Sequence, residues 1–227
     1  MSGANSVRSM IKACLFDLDG TLIDSEILWC QAIRQMMQAR KTPIPEAYSC
    51  ELVFGRAWRD IAGRLRRDYP SVKDDDEVLG LETTRYYDQL RGTTDIRIHS
   101  SIKLMERLAK RYPVAIVSGS TRRQVKEAVA MMGVGGVLQF FFGNEDYPRG
   151  KPHPDCFLMA ARSLGVAPGT CLVFEDSTAG VQAAKAAGMQ CIALQRHLRY
   201  PQDVSAADQV LMDLAQFDHL AYGIILD

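Results

Sequence analysis

The stretch that decides the fold is CLFDLDGTLID, residues 14–24, in which two carboxylates directly follow an apolar run. The apolar residues IKACLF are typical of a strand buried on both faces of a parallel sheet. Side chains two positions apart on a strand point the same way, so continued extended geometry would bring Asp17 and Asp19 together. An Asp-Gly pair is also a common turn signal. This stretch alone therefore allows either a turn or a ligand site at a strand end.

The composition is that of an ordinary globular protein, with 227 residues, of which 47% are hydrophobic and 24% charged. Basic and acidic residues number 27 each, which points to no nucleic-acid or membrane partner. No apolar run reaches the roughly 18 residues that a membrane-spanning helix needs. We expect the opening residues 1–10 to be a disordered tail rather than a signal peptide. Cys14, Cys171 and Cys191 lie in apolar segments, which indicates reduced thiols and a cytoplasmic location.

The pattern after Asp24 predicts a block of helices. SEILWCQAIRQMMQAR has helical spacing and Ser25 as its candidate N-cap, KTPIPEAYS is expected to be a break, and AWRDIAGRLRRDY and DDEVLGLETTRYYDQLRG predict further helices. From about residue 100, strands and helices alternate, which implies a parallel sheet with right-handed crossovers. The strands after the first are predicted in PVAIVSGS, QFFFGN, TCLVFEDS, MQCIALQ and, at the edge, DQVLMDL.

The predicted fold class is therefore α/β, with a doubly wound parallel sheet and an inserted all-helical domain. Residues 1–24 and 97–227 are expected to form the α/β core domain. Residues 25–96 are expected to form the helical domain.

Polar residues follow several of the predicted strands, and parallel strand ends converge on one crevice. Oxygen ligands from clustered carboxylates suit a hard divalent cation, Mg²⁺, whereas a lysine, a hydroxyl and free backbone amides suit a phosphate. Together these groups indicate phosphoryl chemistry. The candidate residues are Asp17, Asp19, Ser118, Gly119, Lys151, Glu175 and Asp176.

Each candidate taken singly has an ordinary structural explanation. Lys151 alone would be a solvated loop lysine, and Ser118 alone a polar strand end. Glu175 and Asp176 could be a charge pair at a helix N-terminus. Their joint occurrence at the predicted crevice favours an active phosphoryl-transfer site.

At these residues the chain resembles the haloacid dehalogenase superfamily of aspartate-nucleophile phosphatases. DLDGT is similar to its first motif, Ser118 in VSGS to its second, Lys151 in GKPHPD to its third, and EDS at 175–177 to its fourth. The four motifs occur in order over about 160 residues. The helical block resembles the cap of the group that contains beta-phosphoglucomutase, sugar phosphatases and phosphoglycolate phosphatases.

The resemblance implies catalytic roles for three residues. Asp17 is the expected nucleophile, forming an aspartyl-phosphate, and its side chain is also an expected Mg²⁺ ligand. Asp19 is the expected general acid for the leaving group and general base for water, while its backbone carbonyl reaches the metal. Lys151 is expected to bridge the nucleophile and the phosphate.

The resemblance also implies binding roles for the other candidates. Ser118 is expected to hold a phosphate oxygen, helped by the amide of Gly119. Asp176 is an expected metal ligand, and Glu175 is expected to support it directly or through water.

The segment FGRAWRD, residues 54–60, is the candidate substrate loop of the helical cap. Arg56, Trp58 and Arg59 could recognise a polar, anionic substrate. They could equally belong to a cap helix with a packed tryptophan and two solvated arginines. Trp29 either covers the site or belongs to the core of the cap.

The same cap bears on the choice between phosphatase and mutase. The resemblance implies that beta-phosphoglucomutases carry a histidine five residues after the acid that Asp24 matches, and an arginine after the cap glycine. Those positions are Trp29 and Trp58 here. We therefore expect a Mg²⁺-dependent phosphatase of a small phosphorylated metabolite, such as a sugar phosphate, that is a monomer or weak homo-oligomer. The alternatives are a phosphosugar mutase and, more remotely, a non-catalytic ligand-binding protein.

Overall fold

The computed structural model describes residues 10–54, 56, 58–196 and 202–226, and within them six parallel strands form one sheet. The expected N-terminal tail lies outside the described residues, except for Met10. The strands are β1 (Ala13–Phe16), β2 (Val114–Val117), β3 (Phe140–Phe142), β4 (Cys171–Glu175), β5 (Gln190–Leu194) and β6 (Gln209–Leu211). Their order across the sheet is β3-β2-β1-β4-β5-β6, which places β6 at an edge as predicted.

Eight α-helices lie within the described residues, and the predicted doubly wound α/β class is confirmed. Four follow the first strand, namely α1 (Ser25–Ala39), α2 (Glu46–Val53), α3 (Trp58–Asp68) and α4 (Asp76–Arg91). The other four alternate with the later strands, namely α5 (His99–Ala109), α6 (Arg122–Met132), α7 (Asp155–Ser163) and α8 (Thr178–Ala186).

The centre of the sheet is the pair of strands β1 and β4, where the winding of the chain reverses direction. Phe16 is the register partner of Phe174, and their rings stack with centroids 4.4 Å apart. All residues of β1, β2 and β4 are buried, because side chains from the flanking helices cover the sheet. In such sheets ligands bind beyond the carboxyl ends of the strands where the winding reverses.

Local signals determine where the helices next to these strand ends begin and stop. Thr121 and Gln124 form a capping box at the start of α6, and Gly133 ends that helix with a φ of +74°. The Ser177 hydroxyl accepts from the Gly180 amide and caps α8. These caps hold the loops after β2 and β4 in defined positions.

The chain divides into two compact units. The first, called the core unit, contains the residues up to Ile23 and from Ile98 onward, and the second, called the helical unit, is Asp24–Arg97. Each unit has its own hydrophobic core of buried side chains. At the junction, the Asp24 amide donates to the Ile96 carbonyl at 2.7 Å, and the Ile98 amide donates to the Leu22 carbonyl at 2.8 Å.

Two local predictions were wrong. Ser25 is the first residue of α1 and not its N-cap, because the Asp24 amide is already paired with the Ile96 carbonyl and the helix starts directly after it. KTPIPEAYS is not a break throughout, since α2 begins at Glu46. Pro45 takes an extended conformation with ψ near 150° and occupies the N-cap position, so the second proline ends the break.

None of the helices in the described part of the chain combines the length and the apolar character needed to cross a bilayer. All six cysteines are free thiols, and all except Cys50 are buried.

Candidate active site

Asp17 directly follows β1 and is the first residue of the site. Its amide donates to the Phe174 carbonyl at 2.9 Å, which continues the pairing with β4, and only 6% of the residue is exposed. The chain then turns at Gly20, which has a φ of +82°. An added Cβ at Gly20 would lie 2.0 Å from Asp176 Oδ2, so this turn packs directly against the loop after β4.

Lys151 connects the ends of three strands. Its Nζ donates to Asp17 Oδ1 at 2.5 Å, to Glu175 Oε1 at 2.6 Å and to the Val117 carbonyl at 3.1 Å. Burial alone lowers the pKa of Lys151, but attraction to Asp17 and Glu175 outweighs burial and raises this pKa well above its usual value. The ammonium therefore remains charged and uses its three donors at once.

Glu175 ends β4 with a fully buried side chain whose two oxygens have separate partners. Oε1 accepts from Lys151, and Oε2 accepts from the amides of Asp176 and Ser177 and from the Ser177 hydroxyl, all at 2.9–3.0 Å. An added Cβ at Gly180 would lie 1.7 Å from Oε1, so α8 leaves room for this carboxylate only because it has a glycine there. The arrangement fixes Glu175 rigidly beside Lys151.

The carboxylates of Asp17, Glu175 and Asp176 converge, with one oxygen of each within 4.8 Å of the others. Burial raises the pKa of Asp17 well above its usual value, Glu175 and Asp19 add repulsion, and Lys151 offsets these effects only in part. One oxygen from each of three carboxyl groups thus lies near the same point. Oxygen ligands of this kind fit a hard divalent cation such as Mg²⁺.

Asp19 lies at the same strand ends and contacts the loop after β2. Its Oδ2 accepts from the Ser120 hydroxyl at 2.7 Å and from the Ser118 hydroxyl at 3.4 Å. The Ser118 carbonyl accepts from the Tyr147 hydroxyl at 2.8 Å. Gly119 between the serines is exposed, and an added Cβ there would meet no atom within 4 Å, so there is open space beside this loop.

The core unit thus brings the predicted core residues to one edge of the sheet, while three predicted residues belong to the helical unit. In the helical unit, Trp58 Nε1 donates to the Asp76 carbonyl at 2.8 Å, and the ring packs against Gly80. Arg56 and Arg59 are exposed, and neither side chain pairs with another described residue. Two other residues of the candidate substrate loop, 55 and 57, lie outside the described residues.

Trp29, for which two roles were open, stacks on Tyr87 inside the helical unit with ring centroids 4.2 Å apart.

Two further residues contact the predicted set: sequence reasoning placed Ser120 at the same strand end as Ser118 but gave it no role, and it did not identify Tyr147. Ser120 has the shortest described hydrogen bond to the Asp19 side chain, and Tyr147 holds the Ser118 carbonyl. The sequence could have indicated this role for Ser120, because Ser120 follows Ser118 by two positions in VSGS and its side chain points the same way on an extended chain. Tyr147 had no sequence signal.

Known proteins resemble this chain over nearly its full length. A family model described as haloacid dehalogenase-like hydrolase matches residues 11–188. A protein of Drosophila melanogaster named "Probable pseudouridine-5'-phosphatase" is 30% identical, with 97% of each chain covered. Other matched relatives are also named phosphatases, including phosphoglycolate phosphatases.

Solved structures show the same fold. A HAD family hydrolase from Deinococcus radiodurans, with bound phosphate and sodium, has a TM-score of 0.78 and 27% identity, covering 94% of this chain and 96% of its own. A beta-phosphoglucomutase from Clostridium difficile has a TM-score of 0.69 and covers 94% of this chain and 96% of its own. At 22% identity, the second match shows the fold alone.

The fold and these matches together define a hydrolase whose α/β core carries an inserted helical unit. The chain belongs to the haloacid dehalogenase-like hydrolases, a family in which the relatives it matches are named phosphatases.

Proposed function

We propose that this protein is a Mg²⁺-dependent phosphatase that hydrolyses a small, sugar-like phosphate ester through an aspartyl-phosphate on Asp17. The observation that carries the proposal is the buried Lys151 ammonium, which bridges Asp17 and Glu175 while Asp19 lies at the same strand ends. Nucleophilic phosphoryl transfer needs a carboxylate that attacks phosphorus and a second carboxyl group that transfers protons. Asp17, held by the Lys151 ammonium, and Asp19 can fill these two roles.

In the first half of the reaction, an Asp17 oxygen attacks phosphorus and the bond from phosphorus to the leaving oxygen breaks. Asp19 gives its proton to that oxygen, so the alcohol leaves neutral. Lys151 holds Asp17 and offsets the charge that accumulates as the phosphate approaches. The Ser118 hydroxyl and the Gly119 amide donate to phosphate oxygens.

In the second half, water attacks the phosphorus of the aspartyl-phosphate and loses its proton to Asp19. The bond between phosphorus and the Asp17 oxygen breaks, which releases inorganic phosphate and restores the carboxylate. Asp19 has then recovered the proton that it gave in the first half.

The residues that would hold Mg²⁺ are Asp17 and Asp176, together with the Asp19 carbonyl and with Glu175 as support. Their fit rests on the three carboxylates that converge within 4.8 Å and on the glycine turn that lets Asp176 lie close to them. When bound, Mg²⁺ would offset the repulsion between the phosphate and the carboxylates. Glu175 already accepts four hydrogen bonds, which suits a supporting role.

The helical unit would supply substrate specificity through Arg56 and Arg59. Both line an open groove of about 560 Å³ whose other lining residues are Asp60, Gly63, Arg64, Arg66, Arg67 and Asp76, so five arginines exceed two aspartates there. A guanidinium without a protein partner can donate to phosphate, carboxylate or hydroxyl oxygens of a substrate. Trp58 would support this loop, because its indole N–H is engaged within the unit.

The first experiment tests the nucleophile. Asp17→Asn keeps the shape of the side chain but is a very poor nucleophile, so turnover should be abolished and no acid-stable phosphoenzyme label should form from a ³²P-labelled ester. Circular dichroism would confirm the fold. Retention of more than a few per cent of activity would show that water attacks directly.

The second experiment tests the metal. Chelation with EDTA should remove activity, Mg²⁺ should restore it, and Ca²⁺ should inhibit because it prefers a larger and looser oxygen shell. Asp176→Ala should weaken activation by Mg²⁺ far more than Ser177→Ala does. Full activity in chelator would refute the proposed cation.

The third experiment separates hydrolysis from phosphoryl transfer between sugar positions. The products from beta-glucose 1-phosphate and from a panel of phosphosugars should contain inorganic phosphate, not an isomerised sugar phosphate. Accumulation of glucose 6-phosphate with little free phosphate would replace the proposal with a mutase. On the same panel, Arg56→Ala and Arg59→Ala should raise KM or change substrate preference without changing metal dependence. If both variants match the wild type, these arginines are ordinary surface.

A further inference from the structure

Asp19 is held by two serine hydroxyls of unequal geometry. Ser120 Oγ donates to Asp19 Oδ2 at 2.7 Å, which is the usual length for a hydroxyl donor, whereas Ser118 Oγ reaches the same oxygen at 3.4 Å. The Ser118 oxygen also accepts from the Ser120 amide at 3.0 Å. The hydrogen bond from Ser118 to Asp19 is therefore weak, and the one from Ser120 is strong.

The backbone keeps Ser120 in place independently of Asp19. Its carbonyl accepts from the Asn144 amide at 2.9 Å, and the next residue, Thr121, caps α6. An added Cβ at Gly143 would lie 2.4 Å from the Arg122 amide nitrogen, so the loop after β3 fits closely against this turn. Ser120 thus presents its hydroxyl from a fixed position, as a positioning group must.

We propose that Ser120 is a positioning residue that holds the Asp19 carboxyl for proton transfer throughout the reaction. This inference rests on the proposed function, in which Asp19 is the acid and base. When Ser118 turns its hydroxyl proton to a phosphate oxygen, it gives up its long contact with Asp19. Ser120 keeps Asp19 Oδ2 fixed, so that the other oxygen, Oδ1, delivers a proton to the leaving oxygen and later accepts one from water.

With a leaving group that needs no proton, Ser120 should affect the rate of phosphoenzyme hydrolysis but hardly the rate of phosphoenzyme formation. A para-nitrophenolate leaves as a stable anion, so formation of the phosphoenzyme from para-nitrophenyl phosphate makes little use of Asp19. Hydrolysis of the same phosphoenzyme still requires a base to take the proton of water. Loss of Ser120 should therefore slow the second step selectively.

The test is rapid-mixing kinetics with para-nitrophenyl phosphate and Mg²⁺. In Ser120→Ala, the first equivalent of nitrophenol should appear within threefold of the wild-type rate, and steady-state turnover should fall about tenfold, part of the about 10²–10⁴-fold that a general base contributes. A phosphoenzyme should accumulate. Ser120→Thr keeps the hydroxyl and should recover steady-state turnover to within threefold. Ser118→Ala should instead slow the first step.

A double-mutant comparison separates this inference from the proposed function. Asp19→Ala should also slow hydrolysis of the phosphoenzyme more than its formation, and by a larger factor than Ser120→Ala. Adding Ser120→Ala to Asp19→Ala should not lower the turnover rate further, because the residue to be positioned is gone. Equal slowing of both steps in Ser120→Ala, or a further loss in the double variant, would show a general structural role and overturn the inference. Wild-type kinetics in Ser120→Ala would overturn it as well. If Asp19→Ala turned over normally, the proposed function itself would fail.

Discussion

Replacing Lys151 by methionine would test whether the site is held together by charge. The variant keeps a long apolar side chain but removes three hydrogen bonds and the ammonium that bridges two buried carboxylates. Removing one partner of a buried ion pair typically costs about 3–5 kcal/mol, so we expect a loss of that size in the free energy of unfolding at pH 8. Urea unfolding without added Mg²⁺ measures it.

The loss should depend on pH with a definite sign. Lys151 lowers the pKa of Asp17, so its removal raises that pKa further above the unfolded value of about 3.9. Stability linked to a raised folded-state pKa is present below the unfolded pKa and is lost as the pH rises through the folded pKa. The deficit of Lys151→Met should therefore be smaller at pH 5 than at pH 8.

Two comparisons make this result interpretable. Lys185→Met breaks a partly exposed ion pair with Asp208, at 2.7 Å, and should cost less than about 1 kcal/mol. The double variant Lys151→Met with Asp17→Asn should recover part of the stability, because one of the two stranded charges is gone. If Lys151→Met unfolds like Lys185→Met and shows no dependence on pH, the carboxylates are not held as charged groups.

Two further substitutions test the framework around the site. Gly180→Ala would place a Cβ 1.7 Å from Glu175 Oε1, so it should lower the free energy of unfolding by about 1–3 kcal/mol and kcat at least tenfold. In the control Gly92→Ala, the nearest contact of the new Cβ would be 3.5 Å, so stability and kcat should stay unchanged. Equal effects of the two alanines would contradict this packing. Tyr147→Phe leaves the Ser118 carbonyl without its hydroxyl donor and should cost about 1 kcal/mol and raise KM for the phosphate ester; an unchanged Tm and KM would rule that role out.

The order of strands and helices could be predicted because local rules determine it. Each core strand is a short apolar run bounded by polar or glycine residues, and α6 carries both a capping box and a glycine stop. The N-cap of α1 was wrongly assigned to Ser25, one residue too late, because the Asp24 amide pairs with the Ile96 carbonyl, a contact between residues far apart in the chain.

The acids of the site could be predicted because they end or follow strands whose ends converge, and Lys151 because it lies in GKPHPD, just before α7. The hydrogen bond from Ser120 to Asp19 spans 101 residues, and the one from Tyr147 to Ser118 spans 29, so both depend on the tertiary fold. A chain pattern indicates which side chains reach the same edge of a sheet. It does not indicate which of them touch.

The junction between the two units has a consequence for how such an enzyme can be altered. The segment Asp24–Arg97 leaves and rejoins the core at neighbouring points, because the pairs Asp24–Ile96 and Ile98–Leu22 run side by side. All six strands lie outside that segment. A short turn from Ile23 to Ile98 would therefore close the chain without breaking a strand pair of the described sheet, so the whole helical segment can be exchanged by replacing a single continuous stretch of gene.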